Sequence, residues 1–221
     1  MTMRKHFSLI LFLCLLSPQI FSQEGKKTKA FVTFELLSPS ENSLIVKDNN
    51  LNFSFGMGLG LNLRTQFTES SALVYGLEYA STRRNFVFDG FSTFATFAHF
   101  KLPIYYQYTL ALDQRKKNKI NLFLGTKIVV QDGARIGGGG SGNSGKKYEM
   151  EKIGGIFPLM TFGFGYDLKF KSNYFIGFEA GYNLGFINAV ETTFFHADQF
   201  LEYSSNLTHI HFKASFPLNV N

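Results

Sequence analysis

The chain has no tryptophan, one cysteine (Cys14) and five prolines in 221 residues. A lone cysteine excludes a disulfide framework and thiolate metal clusters. Charge is sparse: Asp, Glu, Lys and Arg supply 17% of the chain, against about 25% in an average soluble domain. Beyond the N-terminal leader, no apolar run approaches the roughly 18 residues that mark a membrane helix. Basic residues are scattered, apart from small clusters such as Arg115 to Lys117. A nucleic-acid reader would gather them on one face with base-stacking aromatics, so nucleic acid is not an expected partner.

What is abundant is aromatic and small: 27 Phe, 10 Tyr and 21 Gly. That mixture favours strands and turns. The length suits one domain. Arg4 and Lys5, the apolar run Leu9 to Leu16, the break at Ser17-Pro18 and the small Ser22 before Gln23 have the form of an export signal. The expected organisation is a signal peptide at 1–22 and one domain at 23–221. Cys14 would leave with the leader. Phe12 and Leu13 precede it, where a lipoprotein anchor would carry small residues.

The dominant pattern has period two. Leu51, Phe53, Phe55, Met57, Leu59, Leu61 and Leu63 fall on one side of a strand, and Asn52, Ser54, Gly56, Gly58, Gly60, Asn62 and Arg64 on the other. Similar alternation recurs at 31–36, 73–80, 100–110, 120–128, 162–169, 174–184 and 209–216. These segments make about eight strands, near the 9–11 residues each that a tilted membrane strand needs. Glu35, Arg64, Glu78, Lys101, Lys127, Asp167, Lys169, Glu179 and Lys213 all share the small-residue face. A basic side chain facing lipid at mid-bilayer costs about 2–4 kcal/mol, so the bulky apolar face must point outward. The predicted fold is therefore all-β: an eight-stranded, antiparallel, up-and-down transmembrane β-barrel, placed in a bacterial outer membrane after export through the periplasm. A soluble barrel of the lipocalin kind would bury the apolar rows inside instead.

Connection lengths support this reading. Ser38 to Asn50, Ser81 to Ala98, Gln131 to Gly155 and Asn188 to Asn206 read as long external loops. Thr68 to Ser71, Asp113 to Asn118 and Lys171-Ser172 read as short periplasmic turns. Within Gln131 to Gly155, the glycines from Gly137 to Gly145 predict a mobile segment, dispensable for assembly and cut by trypsin near Lys146, Lys147 or Lys152. Pro103 and Pro158 fall inside strand patterns; Pro103 suggests a bulge and Pro158 a strand start.

Motifs that could carry chemistry are weak. Gly140-Ser-Gly-Asn-Ser-Gly145-Lys146 resembles a phosphate loop, but Lys147 stands where a magnesium-binding Ser or Thr is required. His209 and His211 share the inner face and could meet His99 or Glu179, without the spacing of a zinc site. Hydrogen bonding in the lumen is the simpler expectation. Glu78, Asp167 and Glu179 could act as acids, and Ser215 near His211 as a nucleophile pair, but charged barrel plugs contain the same residues. No catalytic, metal or cofactor residue is assigned, and no cofactor is expected.

The strand Gly56-Met-Gly-Leu-Gly-Leu-Asn-Leu63 and the segment Phe100-Lys-Leu-Pro-Ile-Tyr-Tyr106, with the strand spacing of the whole chain, resemble the PorT-like outer-membrane β-barrel family. That resemblance implies an eight-stranded barrel without a known catalytic site, some of whose relatives take part in secretion. The expected function is a non-enzymatic outer-membrane barrel. Its partners would be membrane lipid and, through external loops, other envelope or secretion proteins. The alternatives are a rim enzyme acting on lipid or peptide, and a small pore.

Overall fold

The computed structural model describes residues 27–39, 51–88, 91–113, 117–139, 147–153, 155–169, 175–187, 190–196, 199–205 and 207–218. The leader at 1–22, its cleavage before Gln23, Cys14, the connection 40–50 and the run 140–146 lie outside the described residues. The strands are β1 (Lys27–Pro39), β2 (Leu51–Gln66), β3 (Ser71–Phe88), β4 (Phe91–Ala111), β5 (Asn118–Gly139), β6 (Lys147–Ile153), β7 (Gly155–Lys169), β8 (Phe175–Gly185), β9 (Val190–His196), β10 (Gln199–Ser205) and β11 (His209–Leu218).

Eight of them close into a barrel in the order β1-β11-β8-β7-β5-β4-β3-β2. Every barrel pair is antiparallel, and β1 meets β11 from Ala30↔Leu218 to Pro39↔His209. With β6 and the β9–β10 hairpin set aside as insertions, each barrel strand pairs with its neighbours in sequence. Closure leaves no open edge in hydrocarbon, where an unpaired backbone group would cost several kcal/mol. Among the described residues no helix is long and apolar enough to cross a membrane; the crossing is made by strands.

The two faces are as the alternation requires. Phe34, Leu36, Met57, Leu59, Leu124 and Phe212 are exposed, with Met57 at 60% and Leu59 at 56%. They belong to a continuous outer belt, far larger than the few hundred Å² a soluble surface tolerates. The belt faces lipid, and the lipocalin arrangement is excluded.

One end of the barrel has tight turns. Phe67 N–H donates to the Ser71 carbonyl at 3.0 Å, and the Thr68 and Ser71 hydroxyls are 2.7 Å apart. Asp113 holds the β4–β5 turn by accepting from Lys117 N–H at 2.6 Å and from the Asn118 side-chain amide at 3.2 Å. Both ends of the barrel sheet, Lys27 and Leu218, lie at this end.

The other end departs from expectation. Ser81 to Ala98 is not a loop: β3 and β4 continue, and Phe88 pairs with Phe91 across Asp89 and Gly90. Asp-Gly between β-rich flanks is a strong hairpin signal, and Phe86, Val87, Phe88 and Phe91 supply the β propensity. Gln131 to Gly155 is not wholly loop either. Gly137, Gly138 and Gly139 extend β5 and pair with Phe94, Thr93 and Ser92, since a ladder needs backbone rather than side chains. Residues 147–153, 190–196 and 199–205 form a separate three-stranded sheet, β10-β9-β6. Lys147 and Lys152 therefore sit in a paired strand, and trypsin susceptibility there should fall below that of an open loop.

Pro103 does not mark a bulge. It keeps register with Lys127, and the β4–β5 shift falls between Phe97 and His99 instead. Pro158 lies near the start of β7, opposite Ile128.

Candidate functional site in the barrel lumen

The lumen is filled by side chains from all eight barrel strands. Four acids (Glu35, Glu78, Asp167, Glu179) and four bases (Arg64, Lys101, Lys127, Lys213) are buried there. Each occupies an inward position of its alternating strand. Lys169 is the exception among the residues assigned to this face: it ends β7 at the rim and is exposed.

Six of the charges form one continuous network. Lys127 donates to Glu35 Oε1 at 3.1 Å, and Lys101 donates to Glu35 Oε2. Lys101 and Lys127 each lie 3.8 Å from Glu78 Oε2. Lys213 donates to Glu78 Oε1 at 2.6 Å, and Asn62 Nδ2 donates to the same oxygen at 2.9 Å. Glu179 Oε2 lies 3.9 Å from Lys213 and accepts from the Tyr105 hydroxyl at 3.1 Å. Three carboxylates thus meet three ammonium groups. Burying a charge is tolerable only with such pairing and hydrogen bonding.

Toward the tight-turn end, Arg64 donates to Asp167 Oδ2 at 2.8 Å. Its guanidinium stacks over Phe31 at 4.9 Å and Phe175 at 5.6 Å, and the two rings meet edge to face at 5.3 Å. This pair closes the lumen below the main network.

Toward the opposite end, Asn183 Nδ2 donates to both His209 Nε2 and His211 Nδ1, each at 2.8 Å. His209 Nδ1–H then donates to the Leu207 carbonyl at 2.6 Å. One amide with two protons fixes both tautomers, leaving the His211 proton on Nε2. Leu207 itself has φ 60°, a left-handed conformation that costs a branched residue and presents its carbonyl to His209. His99 is buried opposite Gln131 on the β4–β5 ladder. Among the described residues no three metal-ligating side chains converge. Ser215 is four residues from His211 on β11, about 13 Å at strand rise, so the two do not form a nucleophile–base pair. Lys147, beside the phosphate-loop-like run, opens β6 opposite Phe195 rather than a helix.

Glycine makes this filling possible. Gly163 and Gly181 face each other across β7 and β8, and the ring of Phe123, which pairs with Gly163 from the neighbouring β5, lies over both. A Cβ at Gly181 would meet His211 Cε1 at 2.6 Å and Phe123 Cζ at 2.7 Å. Gly181→Ala should therefore destabilise the barrel by about 1–3 kcal/mol, as overpacking does, read as a lower urea midpoint in detergent.

The molecule is a closed antiparallel barrel with a lipid-facing belt, tight turns at one end and a polar lumen. The fold is that of a bacterial outer-membrane β-barrel. The outer membrane protein OprG from Pseudomonas aeruginosa superimposes with a TM-score of 0.51 and 11% identity, over 86% of this chain and 94% of that one. Ail, the attachment invasion locus protein of Yersinia pestis, gives a TM-score of 0.43 and 13% identity, over 89% of this chain and 100% of that one. No family model and no curated protein matches the sequence. The barrel resides in the outer membrane, where the belt meets lipid.

Asn62, Tyr105, Gln131 and Asn183 are lumen residues to which sequence reasoning gave no role. Their signal was present: each lies on the inward face of its strand, in line with charged residues.

Proposed function

We propose that this is a non-enzymatic outer-membrane barrel that works through its external face, binding a partner there or serving a secretion assembly. The observation that carries this reading is the contrast between the two parts. The lumen is packed with eight paired charges, while the end opposite the tight turns carries extra strands: the extended β3, β4 and β5 and the β6–β9–β10 sheet. A filled lumen argues against a pore. Engagement of His209 and His211 by Asn183 argues against either as a free catalytic base. Membership of the PorT-like group, and with it a place in secretion, is a finer proposal. Its support is the Gly56–Leu63 and Phe100–Tyr106 strand sequences together with the barrel fold.

Planar-bilayer recording tests the first step: the expected result is no stepwise conductance, and steady unitary currents would favour the pore. The second test removes the β9–β10 hairpin, Val190–Ser205, and follows surface crosslinking on intact cells. Loss of a specific crosslinked species with the barrel still assembled is the expected outcome. An unchanged crosslinking pattern would move the binding function elsewhere.

A further inference from the structure

Among the described residues the lumen balances its buried charges one for one, but the mouth at the tight-turn end does not. Lys27 and Lys29 are the first and third residues of β1, Lys119 is the second residue of β5 and Lys169 ends β7. By strand alternation all four sit on the inward face, in line with Phe31, Asn121 and Asp167, so they ring the mouth. The largest electrostatic effects on Lys29 come from Arg64, Lys119, Lys169 and Lys27, all cations. Its ammonium stands 5.4 Å from the Phe175 ring centroid, above the Arg64 stack.

Among the described residues the acids at this end are fewer than the cations. Asp167, opposite Lys119 on the β5–β7 ladder, is held by Arg64, and Asp113 accepts from the amides of its own turn. Glu69 stands with Lys119 on a cleft of about 260 Å³ between the β2–β3 turn and β4–β5. Among the described residues, none of the four lysines forms an ion pair within 4.0 Å.

We propose that this lysine-ringed mouth docks an acidic polypeptide segment presented by a partner from the periplasm. The geometry favours a peptide over a lipid headgroup. The lysines lie on the lumen side of the wall, whereas outward residues at the same level, such as Ala30, Leu110 and Leu168, face lipid. The cations come from three strands around the rim, which suits several spaced carboxylates better than one phosphate. The Arg64–Asp167 pair and the Phe31 and Phe175 rings below stop the segment at the mouth, so docking does not become passage.

The test uses the full-length barrel in nanodiscs of zwitterionic lipid with a labelled oligo-glutamate peptide. The wild type should bind the peptide, more weakly as salt rises. Replacing Lys27, Lys29, Lys119 and Lys169 together by Gln should weaken binding about tenfold or more, while replacing all four by Arg should retain it. Lys152→Gln, in β6 beyond the opposite end of the barrel, should change little. Heat-dependent gel mobility checks that each variant is folded. No binding by the wild type would overturn the proposal, as would equal binding by the Gln variant. Peptide binding abolished by millimolar inorganic phosphate, or by vesicles of anionic lipid but not of zwitterionic lipid, would assign the ring to phosphate groups instead and overturn it too.

Discussion

Glu78→Leu should destabilise the folded barrel by about 3–5 kcal/mol, because it leaves buried ammonium groups without their counter-charge. Glu78 is 2% exposed and receives Lys213 at 2.6 Å and Asn62 at 2.9 Å, with Lys101 and Lys127 each at 3.8 Å. Its loss leaves three lysines facing only Glu35 and Glu179. The chain has no tryptophan, so unfolding in urea is followed by far-ultraviolet circular dichroism or by heat-dependent gel mobility. A second variant separates charge balance from packing. Glu78→Leu combined with Lys213→Met leaves Lys101 and Lys127 on Glu35, and Glu179 with the Tyr105 hydroxyl, so that charge is again two against two. It should recover most of the lost stability, since apolar replacement of a whole buried pair is often neutral. If Glu78→Leu unfolds at the wild-type urea concentration, the network is not what holds the lumen together. If the double variant is no better than the single one, packing rather than charge is the cause.

Much of this architecture is written in local pattern. A two-residue period places Leu59 outward and Gly60 inward whatever the neighbouring strand does, and it was enough to assign both faces. Contacts across the lumen are a different matter. Lys101 meets Glu35 across 66 residues of chain and Lys213 meets Glu78 across 135. Which inward side chains meet depends on strand tilt and stagger, which no single strand encodes. The extended strands were missed for a related reason. Glycine at 137–139 lowers strand propensity, yet β4 supplies a complete ladder of partners, and tertiary pairing overrides propensity. Asp89-Gly90 was a readable turn signal between aromatic flanks. The β6–β9–β10 sheet joins segments about 40 residues apart in sequence, and its short strands carry no alternation strong enough to stand out.

Leu59→Arg should block or severely slow membrane assembly, and the cause is lipid rather than packing. Leu59 lies midway along β2, points outward between Phe34 on β1 and Tyr79 on β3, and is 56% exposed to what is hydrocarbon in the membrane. An arginine at that depth costs about 2–4 kcal/mol, a large share of the 5–15 kcal/mol that holds a typical domain folded. Leu218→Arg, at the rim where the side chain can reach headgroups, should cost about 0–1 kcal/mol. Period-two reasoning alone would make Asn62→Arg a mild control, because it points into a polar lumen. The structure corrects that expectation: Asn62 is buried against Glu78 and Thr33, with no room for a guanidinium. An arginine there would add a fifth buried cation beside four buried acids. Leu59→Arg and Asn62→Arg should therefore both fail, by different routes that the surroundings can separate. Shortening the lipid acyl chains should ease Leu59→Arg by bringing headgroups and water nearer the guanidinium, and should leave Asn62→Arg unchanged. Equal rescue of both by thin bilayers would mean that residue 62 also faces lipid, and the face assignment of β2 would be wrong.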